Sequence, residues 1–273
     1  MNIVILGGTG FVGSALARNF SKNGNNVIII SHSKSPSSSS LTTLEDFLRN
    51  CGKISIDYLF DCRWSNLNDY QSEEHLLLPG SFMRDIENIF KKSKTVKKIS
   101  SFGTCLEYGN RNGEITEEHI IDPETNYAIA KIEYSKKLKN FCSSNEIFFL
   151  WFRLFYIYGE GRKKSNLYET IIESSNNSEE VNLTCALQVR DYLHIDKVAE
   201  MVEKVLKSNF SGEINICSGK GVKLRDLIMK WVEELKLNVK LNFCAIRTPA
   251  HEKSSFWGSN KLFLSHVKKS YDS

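Results

Sequence analysis

The sequence predicts an α/β protein built on a doubly wound parallel sheet, with a smaller α/β lobe toward the C-terminus. Two observations carry this. Short apolar runs alternate with amphipathic stretches through the first 154 residues, and strand, helix, strand in that order calls for a parallel sheet covered on both faces. After residue 158 the strands shorten and the loops turn polar, as in ETIIESSNNSEEVN. The expected division is a larger domain over 1–158 and a smaller lobe over 159–273, with residues from about 185 to 210 packing back on the first domain.

NIVIL reads as the first strand, FVGSALARNFSKNG as a helix and NNVIIIS as the second strand. LTTLEDFLRNCG is amphipathic, and ISIDYLFDC is apolar enough for a strand. A long helix is expected through HLLLPGSFMRDIENIFKKSK, a strand at VKKISSF, a helix over 122–142 and a strand at EIFFLWFRL. Asp122 and Pro123 suit the cap and first position of the second of these helices. SKSPSSSS, at 33–40, is the one low-complexity segment and reads as a mobile loop.

The chain has 273 residues, enough to bury a substantial core. Its 36 basic against 32 acidic residues give a net charge of +4, spread without a basic tail, which argues against nucleic acid as the main partner. Met1 to Leu6 lacks the charged flank and long apolar core of a signal peptide, and no stretch approaches the ~20 apolar residues of a membrane span. A soluble cytoplasmic protein is expected. The seven cysteines show no CxxC and no Cys/His zinc spacing, so the sequence offers no metal site and the thiols read as reduced and mostly buried.

Gly7, Gly8, Gly10 and Gly13 satisfy GxxGxxG and GxGxxG at once, between a strand and a helix. That context aims backbone N–H groups and a helix N-terminus at a pyrophosphate, with Gly7, Gly10, Phe11, Val12 and Gly13 lining the loop of a Rossmann-type dinucleotide site. The end of the second strand usually carries a carboxylate for the adenosine ribose. Here it reads Ser31, His32, Ser33, Lys34, which suits a 2′-phosphate and favours NADP(H), with NAD(H) the other possibility.

Tyr127 and Lys131 lie four residues apart in a helical stretch and project from one face. A neighbouring ammonium favours the phenolate and makes the phenol a usable acid or base. Thr104, at the end of VKKISSFGT, is placed to hydrogen-bond the oxygen that Tyr127 serves.

GGTGFVG, SSFGTCLEYG, YAIAK, RLFYIYGEG, RDYLHIDKVAE and NICSGKGVKLRDL together resemble the extended short-chain dehydrogenase/reductases of the NAD-dependent epimerase/dehydratase family, which act on nucleotide sugars. The resemblance implies Thr104 as substrate hydrogen-bond donor, Tyr127 as catalytic acid/base, and Lys131 as the group that binds the nicotinamide ribose and tunes Tyr127. It places Cys62 and Arg63 beside the cofactor, and Asn166, Leu167, Arg190 and Arg247 on the substrate's diphosphate. Arg190 alternatively pairs with Asp191, and His194 reads as a packing residue rather than a catalyst. The resemblance also implies a homodimer through helices near 75–92 and 123–142, and a setting in cell-surface polysaccharide synthesis.

The chain departs from the family pattern in three places. Where a small alanine-rich turn is usual, FDCRWSN carries the bulky Arg63 and Trp64. The third strand is expected to be missing or irregular, and the C-terminal lobe looks trimmed. Cys105 and Leu106 stand where a 4,6-dehydratase has acidic residues, so dehydration is disfavoured. The leading expectation is an NADPH-dependent reductase of a nucleotide-activated 4-keto-6-deoxy sugar. An NAD-dependent sugar-nucleotide 4-epimerase and a catalytically silent dinucleotide-binding regulator are the alternatives.

Overall fold

The computed structural model describes residues 1–31, 41–161, 167–247 and 255–269. The first part of the chain contains β1 (Asn2–Leu6), α1 (Phe11–Lys22), β2 (Asn26–Ser31), β3 (Leu41–Thr43), α2 (Leu44–Asn50), β4 (Tyr58–Asp61), α3 (Glu74–Lys92), β5 (Lys98–Thr104), β6 (Gly113–Ile115), α4 (Asn126–Ser144) and β7 (Phe148–Leu154). Shorter strands and two helices follow: β8 (Tyr156–Tyr158), α5 (Leu167–Asn177), β9 (Glu180–Asn182), β10 (Val189–Arg190), β11 (Tyr192–His194), α6 (Ile195–Lys207) and β12 (Gly212–Ile216). The chain closes with β13 (Val222–Lys223), α7 (Leu224–Glu234), β14 (Lys240–Asn242), β15 (Phe256–Gly258) and α8 (Lys261–Lys269).

Seven strands form one parallel sheet in the order β12-β7-β5-β4-β1-β2-β3. The chain moves outward from β1 in both directions, so a crevice opens where the order reverses, between β1 and β4 at their C-terminal ends. Alternate side chains of β1 serve opposite faces. Ile3 and Ile5 pack with Leu16 and Phe20 of α1 and with Val198, Val202 and Val205 of α6. Val4 and Leu6 pack with Phe47 of α2, Phe82 and Ile86 of α3, and Tyr134 and Leu138 of α4. A separate cluster, with Tyr168, Ile171, Val181, Ile228 and Trp231 at its centre, joins α5, α7 and β9. Among the described residues, no helix is long and apolar enough to cross a membrane.

Three local expectations need correction. Residues 41–43 of the amphipathic LTT segment form the short edge strand β3, paired with β2 from Ile29↔Leu41; Thr43 then caps α2 by accepting the Asp46 N–H at 3.2 Å. Helix α4 begins at Asn126 rather than at Asp122–Pro123. The Asp122 N–H is tied to the Glu107 carbonyl at 3.0 Å, and the Thr125 hydroxyl supplies the cap. Cys185 and Cys244, 59 residues apart, form a disulfide, while the other five cysteines are free. Backbone pairing of Cys244 with Thr184 and of Ile246 with Leu183 brings the two together, a contact that sequence spacing does not encode.

Candidate active site

The glycine loop, the segment after β4 and Thr104 all lie at the C-terminal ends of neighbouring strands. Gly7 has φ +73°, where a side chain is strained, and a Cβ on Gly13 would run into the Gly7 carbonyl oxygen. Gly10 caps α1 without a side-chain hydrogen bond, so the helix N-terminus is presented by backbone alone. Phe11 and Val12 begin α1, half-buried against the core. This loop fits a dinucleotide pyrophosphate, which needs close backbone approach and a helix N-terminus rather than side chains. Ser31 ends β2 opposite Thr43. His32, Ser33 and Lys34 lie outside the described residues, as does Asn166.

The bulky pair after β4 has definite places. Arg63 crosses Gly7, its Cγ 3.0 Å from where a Cβ on that glycine would sit. Its guanidinium pairs with the buried Asp61 at 2.7 Å and with Asp85, and lies over the Phe82 ring. Tyr134 donates to the same Asp61 carboxylate at 2.7 Å. Cys62 follows on the strand, its N–H bonded to the Leu6 carbonyl, and burial pushes its thiol well up from the ordinary value.

Thr104 ends β5 and is 8 % exposed. Its hydroxyl accepts the Leu106 N–H, which leaves the hydroxyl proton available as a donor, and its own N–H donates to Glu107 at 2.9 Å. Glu107, buried, also accepts from Trp151 and pairs with Arg153 at 2.7 Å. Lys131 is 4 % exposed, and its ammonium donates to the Phe102 carbonyl of β5 at 2.6 Å. The same ammonium lies 5.7 Å from the Tyr127 ring. Burial pushes Lys131 down to about 7, against the pull of Glu107 and Asp61. The Tyr127 ring stacks on Tyr70 at 5.0 Å, and its N–H bonds the Tyr70 carbonyl. One strand thus carries Thr104 and anchors Lys131, and one helix carries Lys131 and Tyr127.

Of the residues assigned to substrate phosphates, Leu167 opens α5 and is half-buried. Arg190 is 3 % exposed, donates to the Tyr156 hydroxyl at 3.2 Å and lies over the Phe256 ring. Asp191 accepts from the N–H groups of Ser218, Gly219 and Lys220. Arg247 is exposed. His194 caps α6, its Nδ1 accepting the Asp196 N–H.

Asp61, Glu107, Arg153 and His75 take their places only in the folded structure. A charge inside an apolar strand, as in YLFDC and FFLWFRL, was the available signal for Asp61 and Arg153, because such a charge needs a buried partner. His75 gave none.

The sheet order and the glycine loop define the class, a Rossmann-type α/β dinucleotide fold. The chain belongs to the NAD dependent epimerase/dehydratase family, whose model matches residues 3–217. It is 24 % identical over 272 residues to the dTDP-6-deoxy-L-talose 4-dehydrogenase (NAD(+)) of Aggregatibacter actinomycetemcomitans, covering 95 % of this chain and 100 % of that protein. CDP-abequose synthase of Salmonella muenchen is 22 % identical, over 68 % of this chain and 80 % of its own. Among solved structures, UDP-glucuronic acid 4-epimerase from Bacillus cereus, in complex with UDP-glucuronic acid and NAD, superposes with a TM-score of 0.78 at 18 % identity, covering 98 % of this chain and 93 % of that one.

Proposed function

We propose that the protein is an NADPH-dependent reductase of a nucleotide-activated 4-keto-6-deoxy sugar. The observation that carries this reading is the Lys131 ammonium, buried beside the Tyr127 ring and anchored to the strand that ends in Thr104. A pyridine dinucleotide, when bound, supplies the hydride for the keto carbon. Tyr127 gives its proton to the carbonyl oxygen as that oxygen becomes a hydroxyl, and Thr104 donates a hydrogen bond that holds the oxygen in place. Lys131 favours the phenolate left behind, which takes a new proton from water. Cys105, whose thiol burial pushes up to about 12, and Leu106 offer no acid or base for a dehydration.

The substrate reading draws on the talose 4-dehydrogenase, whose name specifies oxidation at C4 of a nucleotide-linked 6-deoxy sugar, the reverse of the reaction proposed here. Asn166, Leu167, Arg190 and Arg247 are proposed to hold the diphosphate, in a smaller lobe over residues 159–273 from which α6 and β12 return to the main sheet. NADPH is preferred because β2 ends on Ser31 rather than on a carboxylate. We place the enzyme in the cytoplasm, in cell-surface polysaccharide synthesis. It is proposed to be a homodimer through α3 and α4, where Leu76, Leu77 and Ile129 are exposed.

The test is NADPH and NADH oxidation against a panel of CDP-, dTDP-, GDP- and UDP-linked 4-keto-6-deoxy sugars. Stoichiometric oxidation with one panel member, faster with NADPH, is expected. No oxidation with any member, together with NAD that copurifies and interconversion of a 4-hydroxy sugar nucleotide, would establish the epimerase reading instead. That second reading is favoured by the 4-epimerase among the structural neighbours.

A further inference from the structure

Trp64 links three groups that sequence spacing keeps apart. The Lys131 ammonium lies 3.7 Å from the centre of its indole ring. Its edge meets the Tyr127 ring at 5.7 Å and 80°. Its Nε1–H donates to Nδ1 of His75 at 3.1 Å. An indole nitrogen can only donate, so Nδ1 of His75 must be an acceptor and the ring proton must sit on Nε2. That proton is matched: Nε2 lies 2.9 Å from the Asp69 carbonyl. His75 is completely buried, and these two hydrogen bonds hold its ring in one orientation, which fixes the plane of Trp64.

The charged neighbours of Lys131 are already engaged. Asp61, on β4, pairs with Arg63 and accepts from Tyr134; Glu107, in the turn after β5, pairs with Arg153. Cys62 faces the ammonium as a thiol, Tyr127 and Tyr134 share its helix, and His75 lies behind Trp64. Among the described residues no salt bridge reaches Lys131, whose hydrogen bond goes to an uncharged carbonyl. Of the two aromatic rings near it, the electron-rich face of Trp64 at 3.7 Å is closer than the Tyr127 ring at 5.7 Å, and such a face stabilises a desolvated cation without clamping it as a carboxylate would.

We propose that Trp64, oriented by His75, is a positioning residue for the Tyr127/Lys131 pair, its indole face keeping the buried ammonium charged and in register with the phenol. The inference rests on the catalytic reading of that pair. With Lys131 at about 7, a further drop of about one pH unit takes its charged fraction at neutral pH from about a half to about a tenth, so a modest contribution decides the state.

The test follows the Lys131 side chain by NMR in the cofactor-free protein with 13C-labelled lysine, assigned by its loss in Lys131→Met. Trp64→Leu is expected to lower the titration midpoint by about one pH unit or more, and Trp64→Phe by less. His75→Leu is expected to lower it too, and His75→Asn, which keeps an acceptor near Nδ1, to restore it in part. The alkaline limb of kcat is expected to move in parallel. An unchanged midpoint in folded Trp64→Leu overturns the inference; if that variant does not fold, an unchanged midpoint in both Trp64→Phe and His75→Leu does so. Full turnover in Tyr127→Phe would remove the catalytic reading and leave the midpoint shifts standing, so the two failures are distinct.

Discussion

Thr104 and Glu107 cap each other: the Glu107 carboxylate takes the Thr104 N–H at 2.9 Å, inside the turn that the Thr104 hydroxyl opens. Glu107 is also the buried counterion of Arg153, which reaches Glu213 as well, and burial raises the Glu107 carboxyl above the ordinary value. Glu107→Gln keeps the shape but leaves Arg153 with only the partly exposed Glu213, at 3.2 Å, as its counterion. A loss of about 3–5 kcal/mol in urea unfolding is expected. Displacement of Thr104 should also lower kcat by roughly 10-fold or more while dinucleotide affinity holds. Unchanged stability and kcat would show that the pair does not position Thr104.

Lys131 gives a pH signature in stability. The unfolded chain keeps the lysine proton to about pH 10.5, whereas the folded chain gives it up near 7. Between those values the unfolded state holds more protons, so this residue's cost to folding is full below about pH 7 and is relieved as pH rises. Lys131→Met should therefore raise Tm relative to the natural chain more at about pH 6 than at about pH 9. A difference independent of pH would contradict the burial of a titrating ammonium.

At Gly13 the neighbouring groups are backbone, the Gly7 carbonyl oxygen and, at 2.7 Å, the Gly8 Cα, so nothing can rotate aside. Gly13→Ala is expected to cost about 1–3 kcal/mol and to weaken NADPH binding, followed by fluorescence, by ~10-fold or more. Undiminished binding would count against this loop as the pyrophosphate cradle.

The parts legible in the sequence are those where one residue type answers a local demand. Gly7 and Gly13 announce a turn that no side chain fits, and Tyr127 and Lys131 announce themselves by helical spacing. The Trp64–His75 pair was not legible, because it joins an irregular segment to the first turn of α3 and neither periodicity nor composition marks it. The true start of α4 was hidden for a similar reason: the bond holding Asp122 comes from the Glu107 carbonyl, outside the helix.

The Cys185–Cys244 disulfide belongs to the same class of tertiary fact. Thiol titration of the denatured, unreduced protein should find five free thiols of the seven cysteines. Cys185→Ser should lower stability by up to about 4 kcal/mol, the chain-entropy value for a loop of 59 residues. Seven reactive thiols would contradict the pairing.

The most direct test of the central claim is the rate of Tyr127→Phe on the panel sugar nucleotide that the natural chain reduces, alongside its affinity for NADPH. Loss of the phenolic proton should lower kcat by at least ~100-fold with the dinucleotide Kd within about 3-fold of the natural chain. Turnover near that of the natural chain would contradict the assignment of Tyr127 as the acid and the catalytic account with it.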